Sequence, residues 1–600
     1  MTLKHPNRSK AAPTSGQSLI GGAMVLTAAM IIIKIIGFVY KIPHNAILDG
    51  DGVGVYRQAY EFYLIVYSVA LAGFPTAISK IIVEYQKQGR YKDIRATIKV
   101  ANLFFLLLGT VGAATLVLFS RIYAAKALGN PNVALAVVVV APSIIFSCLM
   151  CTHRGYYQGM RNMTPTAVSQ VVESIVRCIV GLVAAYFLKA RFTDEYLDYG
   201  TVLGEPFANF TEARVSILSL AAAGAMLGVT ISTFVGWLYL VIRRKIDGDG
   251  VSPEQYEASP EAGTGRYLLK QILIIGVPVT LAVVSTQLTS FFSNLIIQNR
   301  LITVLGRNPD ALFASHGGWL EKSGKTIYGK SGETATFLSG CYGFGDAFFS
   351  LVPAITGSFN MSALPHIADS WLANDSLTTA RHINTTLKLT TLIAAPMGFG
   401  IAALGTPILH MVYARRNPAE VAIGGPMLSI LAVAAVFLAL YTASNTMLNA
   451  VGRYDLPVKL LLSGGVVNLL ITFILVGIPS INIKGAPVGN IFGYILVTVL
   501  SLFYLEKNTN IKIDIARAVV KPISAGMISA AAAFITYNLQ IEFLYHVIRQ
   551  RIATGISIGV AVIIFVLAVG IFGIITKEEI QTIIKREKIL NILVKMRIVR

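Results

Sequence analysis

Long apolar stretches separated by short polar connections run along the whole chain. Counting the stretches that are bounded by charged or Gly/Pro-rich breaks gives fourteen spans. A helix needs about 20 mostly apolar residues to cross a hydrocarbon core about 30 Å thick, and each span is long enough. The pattern therefore predicts an all-α polytopic membrane protein with about fourteen transmembrane helices. The predicted spans are 18–41, 57–84, 98–120, 132–153, 164–188, 214–242, 268–299, 335–366, 383–412, 424–450, 456–478, 486–505, 517–538 and 552–575.

Composition indicates the same class. Of the 600 residues, 54% are hydrophobic and 13% are charged. A soluble domain rarely exceeds about 300 residues and carries about 25% charged residues, so a single soluble domain is excluded. The formal net charge of +20 would suggest nucleic-acid binding in a soluble protein. In a membrane protein the excess of Lys and Arg first reflects orientation, and we therefore expect no nucleic-acid partner.

The distribution of Lys and Arg predicts how the chain is oriented. With the N-terminus inside, the cytoplasmic segments hold 30 of these residues and the outer segments hold 17. Because cytoplasmic loops carry the excess of positive charge, both termini are expected in the cytoplasm. The first apolar run is too long for a cleaved signal peptide. The tail 577–600 alternates apolar and basic residues, which predicts an amphipathic helix on the inner leaflet or a solvated basic tail.

A short internal repeat suggests how the spans are organised. Arg161–Pro165 and Arg453–Pro457 share the pattern RxxxP, lie 292 residues apart and each connect two spans. Six spans separate them, so both connections lie on the same side of the membrane. The repeats would then be parallel, as in transporters built from two similar helix bundles.

Ionisable residues within the spans are the first candidates for a functional site. Each costs about 2.5 to 3.5 kcal/mol at the centre of a membrane helix, so such residues usually face a hydrated cavity. Lys34 and Lys41 are seven residues apart and share one face of the first span. Lys41 lies near the outer end and has the alternative of reaching the interface. Glu61 lies beside a series of tyrosines in the second span. These tyrosines serve either packing or contact with a substrate.

Further candidates lie on the fifth, seventh and eighth spans. Gln170, Glu173 and Arg177 occupy one helix face, and Glu173 can pair with Arg177 across one turn, as a structural ion pair or as part of a site. Asn294 shares a face of the seventh span with Gln287, seven residues earlier. Asp346 lies in a segment rich in Gly and Pro that predicts a bent helix. A cavity lined by both signs of charge would suit a hydrated diphosphate, bound by Lys and Arg and balanced by the carboxylates.

Signals for an enzyme are few. The sequence contains no GxxxxGK[ST], HExxH or GxSxG motif. Asp49–Gly52 and Asp247–Gly250 read Asp-Gly-Asp-Gly, which turn chemistry explains, although Asp49 and Asp51 leave open a membrane glycosyltransferase or polymerase. The four cysteines lie in or beside apolar segments, and the CxxC of Cys148 and Cys151 is expected to serve packing. We expect no cofactor.

Three motifs carry a family resemblance. They are Gly155–Pro165 (GYYQGMRNMTP) with Ser169–Glu173 (SQVVE), Ile36–Pro43 (IGFVYKIP) and Gly73–Lys80 (GFPTAISK). In these motifs the chain resembles the stage V sporulation protein B and MurJ-like branch of the multidrug/oligosaccharidyl-lipid/polysaccharide flippases, and the resemblance covers nearly the whole chain. It implies two six-helix lobes arranged in a V and a final helix pair. The implied segments are a cytoplasmic N-terminal segment 1–17, an N-terminal lobe 18–245, a cytoplasmic linker 246–267, a C-terminal lobe 268–507, a helix pair 508–576 and a cytoplasmic tail 577–600.

The resemblance also implies a function. Such proteins turn undecaprenyl-diphosphate-linked sugars, lipid II foremost, from the inner to the outer leaflet, so we expect a transporter and not an enzyme. The expected partners are this lipid-linked glycan, membrane lipids and the cell-wall synthesis or sporulation machinery, and the protein is expected to be a monomer. A cation-coupled multidrug exporter and a non-transporting partner of the wall machinery remain alternatives. The family motifs add Ser79 and Lys80. The candidate substrate-binding residues are Lys34, Lys41, Glu61, Ser79, Lys80, Gln170, Glu173, Arg177, Asn294 and Asp346.

Overall fold

The computed structural model describes residues 19–71, 73–248, 250–544 and 550–574. The predicted N-terminal segment 1–17 and the tail 577–600 lie outside these residues. The described residues form helices connected by short turns, with one small antiparallel hairpin of β1 Thr201–Val202 and β2 Glu205–Pro206. The helices are α1 Leu19–Leu71, α2 Phe74–Lys87, α3 Tyr91–Ile122, α4 Val133–Val140, α5 Pro142–Gly159, α6 Thr164–Tyr199, α7 Phe210–Asp247, α8 Pro253–Glu257, α9 Gly265–Arg307, α10 Pro309–Ala314, α11 Trp319–Lys322, α12 Ser331–Gly343, α13 Asp346–Leu372, α14 Ser376–Ala403, α15 Gly405–Tyr413, α16 Pro418–Ala450, α17 Asp455–Val476, α18 Gly485–Thr509, α19 Lys521–Leu544 and α20 Gln550–Ile571.

Thirteen helical stretches of the described residues are long and apolar enough to cross a membrane. The first of them, Met24–Lys87, is 64 residues long and covers both of the first two predicted spans. The remaining twelve correspond one by one to the other predicted spans. The prediction of an all-α, multi-pass membrane protein is therefore confirmed.

Helix α1 contains a reversal of the chain at Asp49. The backbone of Asp49 has φ 52°, in the left-handed region, and interrupts the helix. The ring of His44 lies 4.5 Å from the ring of Tyr56, whereas twelve residues of continuous helix would separate them by about 18 Å. The chain therefore turns back at Asp49, and α1 consists of two segments that pack side by side.

The two RxxxP motifs occupy equivalent turns but not equivalent positions. In the first turn Arg161 has φ 56°, and the amide N–H of Asn162 donates to the carbonyl of Tyr157 at 2.9 Å. In the second turn Gly452 has φ 81°, and the amide N–H of Arg453 donates to the carbonyl of Leu448, also at 2.9 Å. The sequence motif aligned Arg161 with Arg453, but the residues with left-handed backbone are Arg161 and Gly452. The two turns therefore repeat the same backbone geometry with the sequence shifted by one residue.

We call α1–α7 the first lobe and α9–α18 the second lobe, following the predicted division. The lobes meet where the reversal of α1 packs against α12. A Cβ atom on Gly340 would collide with the carbonyl of Gly50, and one on Gly54 would collide with the carbonyl of Thr336. Glycines on both sides therefore permit the close approach of the two backbones.

A buried hydrogen-bond network between the lobes lies beside this contact. Gln58 of the first lobe donates from Nε2 to Oε1 of Gln298 at 2.7 Å, and Asn130 donates from Nδ2 to Oγ1 of Thr336 at 3.0 Å. Leaving a buried amide or hydroxyl group unpaired is costly, so this network holds the two lobes together in this arrangement.

The connection between α9 and α12 is folded. Helix α9 ends at Arg307, and α12 begins at Ser331. The residues between them include the short helices α10 and α11 and pack on the second lobe, with Leu312 and Leu320 fully buried. Apolar residues in this connection form part of a folded core, and span counting does not detect segments of this length.

Candidate functional site

An arginine that span counting placed at a helix end lies at the interface of the two lobes. Arg57, on the second segment of α1, has its Nε atom 4.0 Å from Oδ2 of Asp346 and donates from Nη1 to the carbonyl of Ser339 at 3.3 Å. Its guanidinium also lies 4.5 Å from the ring centroid of Tyr342. Asp346 begins α13 directly after the predicted bend, where a carboxylate is favoured by the helix dipole.

Three further predicted site residues surround Arg57 together with Asp346. Lys41 is half-buried and interacts electrostatically with both Asp346 and Arg57. Glu61, one helical turn after Arg57, lies beside Asn294 of α9, and both border the same pocket as Arg57. The structure thus brings Lys41, Glu61, Asn294 and Asp346 together around one arginine. We call these five residues the Arg57 cluster.

Lys34 lies two turns before Lys41 and is exposed. Its charge lies within electrostatic range of Lys41, so the two lysines face the same region, as their spacing predicted. Its role in a cavity remains a prediction.

A second charged cluster lies inside the first lobe. Glu173 of α6 accepts a hydrogen bond from Nη2 of Arg177 at 2.7 Å, which is the predicted pair across one turn. Its other carboxylate oxygen accepts from Nη2 of Arg154 at 3.0 Å, and Nε of Arg154 donates to Oγ of Ser169 at 3.1 Å. We call Arg154, Glu173 and Arg177 the Arg177 cluster. With two guanidinium groups and one carboxylate it keeps one net positive charge.

The tyrosines of the second span form a continuous series toward the Arg177 cluster. The rings of Tyr56 and Tyr60 are stacked with centroids 5.7 Å apart, and those of Tyr63 and Tyr67 are 5.5 Å apart. Tyr56, Tyr60 and Tyr63 all interact electrostatically with Arg177. At 3.6 residues per turn, these tyrosines share one face of the helix, and Arg57 and Glu61 occupy the adjacent face. This segment of α1 therefore separates the two charged clusters.

The remaining predicted residues lie outside these contacts. Ser79 and Lys80 are on α2, where Ser79 is half-buried with its carbonyl next to Gly159, and Lys80 is exposed. Gln170 on α6 is half-buried. Their part in a substrate site is untested.

A third cluster of charges ties the lobes together at the reversal of α1. The two carboxylate oxygens of Asp49 accept hydrogen bonds from residues of both lobes. The donors are Nζ of Lys189 at 2.9 Å, Nη2 of Arg214 at 3.2 Å and Nδ2 of Asn417 at 2.7 Å.

The neighbours of Asp49 complete this cluster. Asp51 accepts from Nζ of Lys325 at 2.6 Å, and the backbone N–H of Gly50 donates to Oε1 of Glu420 at 2.9 Å. We call Asp49, Asp51, Lys189, Arg214, Lys325, Asn417 and Glu420 the Asp49 cluster. Turn chemistry explains the positive φ of Asp49 but not the ion pairs of its side chain, which the sequence did not predict. Both aspartates are engaged by cations, so in this arrangement neither offers a free carboxylate for catalysis.

The predictions for the cysteines can be compared with their surroundings. Cys148 and Cys151 are buried and unbonded, consistent with packing. Among the described residues, no group of three or more His, Cys, Asp or Glu side chains is arranged to hold a metal ion.

The fold and these clusters define a class of protein. The chain is a multi-pass helical membrane protein whose two lobes meet around ionisable side chains and are joined at the reversal of α1 by an ion pair and by hydrogen bonds. The chain belongs to the polysaccharide biosynthesis protein family, whose model matches residues 19–369. The model of a second family, lipid II flippase MurJ, matches residues 351–550.

The chain is also similar in sequence to two named bacterial proteins and in structure to a solved flippase. The chain is 22% identical to the stage V sporulation protein B of Bacillus subtilis (strain 168), over 94% of this chain and 98% of that protein. It is 21% identical to the lipid II flippase MurJ of the same organism, over 91% of this chain and 93% of the relative. A solved structure of lipid II flippase MurJ in an inward closed conformation matches 92% of this chain with a TM-score of 0.62 and 14% identity, which shows a shared fold.

Proposed function

We propose that this protein is a flippase for a polyprenyl-diphosphate-linked oligosaccharide, and that its substrate is a peptidoglycan precursor of the lipid II type. The observation that carries the proposal is the Arg57 cluster, which gathers charges of both signs from both lobes. Family membership supports the substrate class, and the 21% identity to a lipid II flippase supports the precursor itself. The proposed location is the bacterial plasma membrane, with both termini in the cytoplasm.

The chemistry of the Arg57 cluster suits a diphosphate. A guanidinium group binds phosphate oxygens through two parallel hydrogen bonds, and a lysine adds a mobile positive charge. Arg57 and Lys41 would bind the diphosphate, with Lys34 two turns before Lys41 on the same helix segment. Arg177 lies on the other side of the second segment of α1, so its predicted contact with the diphosphate would require a rearrangement. Glu61 and Asp346 would compete for these cations, which limits the affinity and allows release.

The Asp49 cluster would act as the closed gate of an alternating-access cycle. Transport requires the lobes to separate at one end while they meet at the other. With the proposed orientation, the Asp49 cluster lies on the outer side. The contacts that cross between the lobes, which are the ion pair of Asp51 with Lys325 and the hydrogen bonds of Asp49 with Asn417 and of Gly50 with Glu420, would break for the head group to leave. A membrane potential contributes about 2.3 kcal/mol per elementary charge per 100 mV and would bias this step. Coupling to protons or to a monovalent cation is the alternative to coupling to the membrane potential alone.

Replacement of a resident flippase tests the proposal. The protein is expressed in a bacterial strain depleted of its lipid II flippase, and growth is scored together with the amount of lipid II that an external probe reaches. We expect rescue by the wild-type protein and no rescue by Arg57→Ala at equal membrane levels. Failure of the correctly localised wild-type protein to expose lipid II would contradict lipid II as substrate. Raised drug resistance without rescue would favour an exporter.

A further inference from the structure

A polar pocket adjoins the Arg57 cluster on the side of the second lobe. It lies between α9, α17 and α18, and Arg57 and Glu61 of α1 form one wall. The cavity has a volume of about 220 Å³, below the range of about 300 to 1,000 Å³ typical of sites that enclose a whole drug-sized ligand. The pocket is therefore of a size to enclose one part of a larger molecule.

The lining of the pocket is rich in uncharged hydrogen-bonding groups. Gln287, Ser290, Ser293 and Asn294 of α9 all border the cavity. Arg57 and Glu61 carry opposite charges, so the lining as a whole is close to neutral. Hydroxyl and amide side chains both donate and accept hydrogen bonds, which favours a neutral ligand with many hydroxyl groups over an ion.

The far wall is held in place by its own hydrogen bonds. Asn468 donates from Nδ2 to Oδ1 of Asn490 at 3.2 Å, and Asn490 donates from Nδ2 to the hydroxyl of Tyr342 at 2.9 Å. Thr472 donates to Oδ1 of Asn468 at 3.0 Å. These amides are already paired and form a fixed surface.

Asn294 differs from these amides. Its side chain is only 7% exposed, and no donor within the described part of the chain reaches its Oδ1 atom. A buried carbonyl oxygen without a partner is uncommon, because its desolvation is not repaid. The pocket therefore contains a buried acceptor that a hydroxyl group of a ligand would satisfy.

We propose that this pocket binds the sugar residue attached directly to the diphosphate of the lipid-linked substrate. The inference rests on the proposed function and extends it, because it assigns a saccharide subsite to residues of the second lobe. Arg57 belongs to both the charged cluster and the pocket wall, so a diphosphate bound at Arg57 has its attached sugar at the pocket. Hydroxyl groups of the sugar would donate to Asn294 and exchange hydrogen bonds with Gln287 and Ser293.

Binding of two matched lipids to the purified full-length protein tests this subsite. One probe is undecaprenyl diphosphate, and the other is the same lipid carrying one N-acetylhexosamine. We expect Asn294→Leu, which keeps the side-chain shape, to weaken binding of the sugar-bearing lipid about tenfold more than binding of the sugar-free lipid. Gln287→Leu should act in the same direction and serves as a second variant if Asn294→Leu fails to fold. Asn538→Leu, at an exposed position of α19, is the matched control.

The outcomes separate the subsite from the proposed function. Equal weakening for both lipids, or no weakening for either, would overturn the saccharide subsite while leaving the flippase in place. A wild-type protein that binds neither lipid more tightly than phosphatidylglycerol would contradict the proposed function and the subsite with it. Selective loss for the sugar-bearing lipid, with Asn538→Leu unchanged, supports both.

Discussion

Lys325 and Asp51 form a buried ion pair between two segments that are 274 residues apart in the chain. The distance from Nζ to Oδ1 is 2.6 Å, and the side chains are 6% and 5% exposed. Lys325 belongs to the connection between α9 and α12, and Asp51 belongs to the reversal of α1, so the pair joins the two lobes. The connection between α9 and α12 of the second lobe thus supplies the positive charge that neutralises Asp51 of the first lobe at the proposed gate.

Removal of this lysine is expected to weaken the closed arrangement. Lys325→Met leaves the carboxylate of Asp51 buried without a cation, and breaking a buried pair in this way costs about 3 to 5 kcal/mol. We expect a lower free energy of unfolding and greater labelling of a cysteine introduced at the gate. The double variant Asp51→Asn/Lys325→Met should recover much of the loss.

An exposed pair provides the control for this change. Lys330 is 81% exposed and pairs with Glu333, so Lys330→Met should change stability by less than about 1 kcal/mol. A Lys325→Met protein that is as stable as Lys330→Met, with unchanged labelling at the gate, would refute the proposed role of the Asp49 cluster as a gate.

The basic residues of the Arg57 cluster are expected to be required for transport but not for folding. Lys41→Ala and Arg57→Ala each remove a proposed diphosphate contact, worth about 1.5 to 3 kcal/mol for a hydrogen bond to a charged group. We expect transport to fall at least tenfold at unchanged protein level. Lys34 lies outside the cluster, and the prediction from its position in the first span is that Lys34→Ala abolishes transport. Lys459→Ala, on an exposed part of α17, is the control. Normal transport by Lys34→Ala would remove Lys34 from the site.

Glu173 is expected to stabilise the first lobe because it separates two guanidinium groups. Glu173→Gln removes the negative charge that both Arg154 and Arg177 contact, which should lower the free energy of unfolding by about 2 kcal/mol. Asp247→Asn, in a more exposed pair with Arg243, should cost less than about 1 kcal/mol. Thermal unfolding of both variants in the same detergent measures the difference. Equal effects would mean that the Arg177 cluster has no special structural role.

Acid is expected to destabilise the connection between α9 and α12 through His316. Burial lowers the pKa of His316 from 6.5 to about 4, and the nearby charge of Lys484 acts in the same direction. Because the folded pKa is the lower one, the unfolded chain takes up the proton first. The stabilisation is complete above about pH 6.5 and is lost as the pH falls toward 4.

This loss is measurable by comparison with a variant. At pH 5 the loss amounts to about 2 kcal/mol of the free energy of unfolding. We expect the stability difference between wild type and His316→Gln to shrink by that amount between pH 7.5 and pH 5. A difference that stays constant over this range would show that the ring of His316 is not buried in neutral form.

The sequence predicted the fold well because membrane helices leave a strong signal. Runs of apolar residues located every span, and spacing alone placed Gln287 with Asn294 and Glu173 with Arg177 on shared faces. The repeat was detected at the correct turns but with its register wrong by one residue, because the backbone there requires a left-handed residue and accepts either Arg161 or Gly452.

The site was predicted only in part, because charges at the ends of spans resemble ordinary interfacial residues. Arg57 and Arg154 were missed for this reason. For Arg154 the sequence did contain a signal. Arg154 and Ser169 lie equally far from the centre of the turn at Arg161 and Asn162. Two antiparallel helices joined by such a turn bring these positions together, so the contact of Arg154 with the face of Ser169 and Glu173 could have been predicted. The ion pairs of Asp49 and Asp51 had no local signal, because their partners are distant in sequence.

Reconstituted transport tests the central claim most directly. The purified protein is placed in liposomes that contain a fluorescent polyprenyl-diphosphate oligosaccharide in both leaflets, and a membrane-impermeant quencher is added outside. We expect wild-type protein to bring the inner-leaflet fraction within reach of the quencher, and Arg57→Ala vesicles to behave like protein-free vesicles. If the quencher removes no more fluorescence from vesicles with folded wild-type protein than from protein-free vesicles, the assignment as a flippase is contradicted.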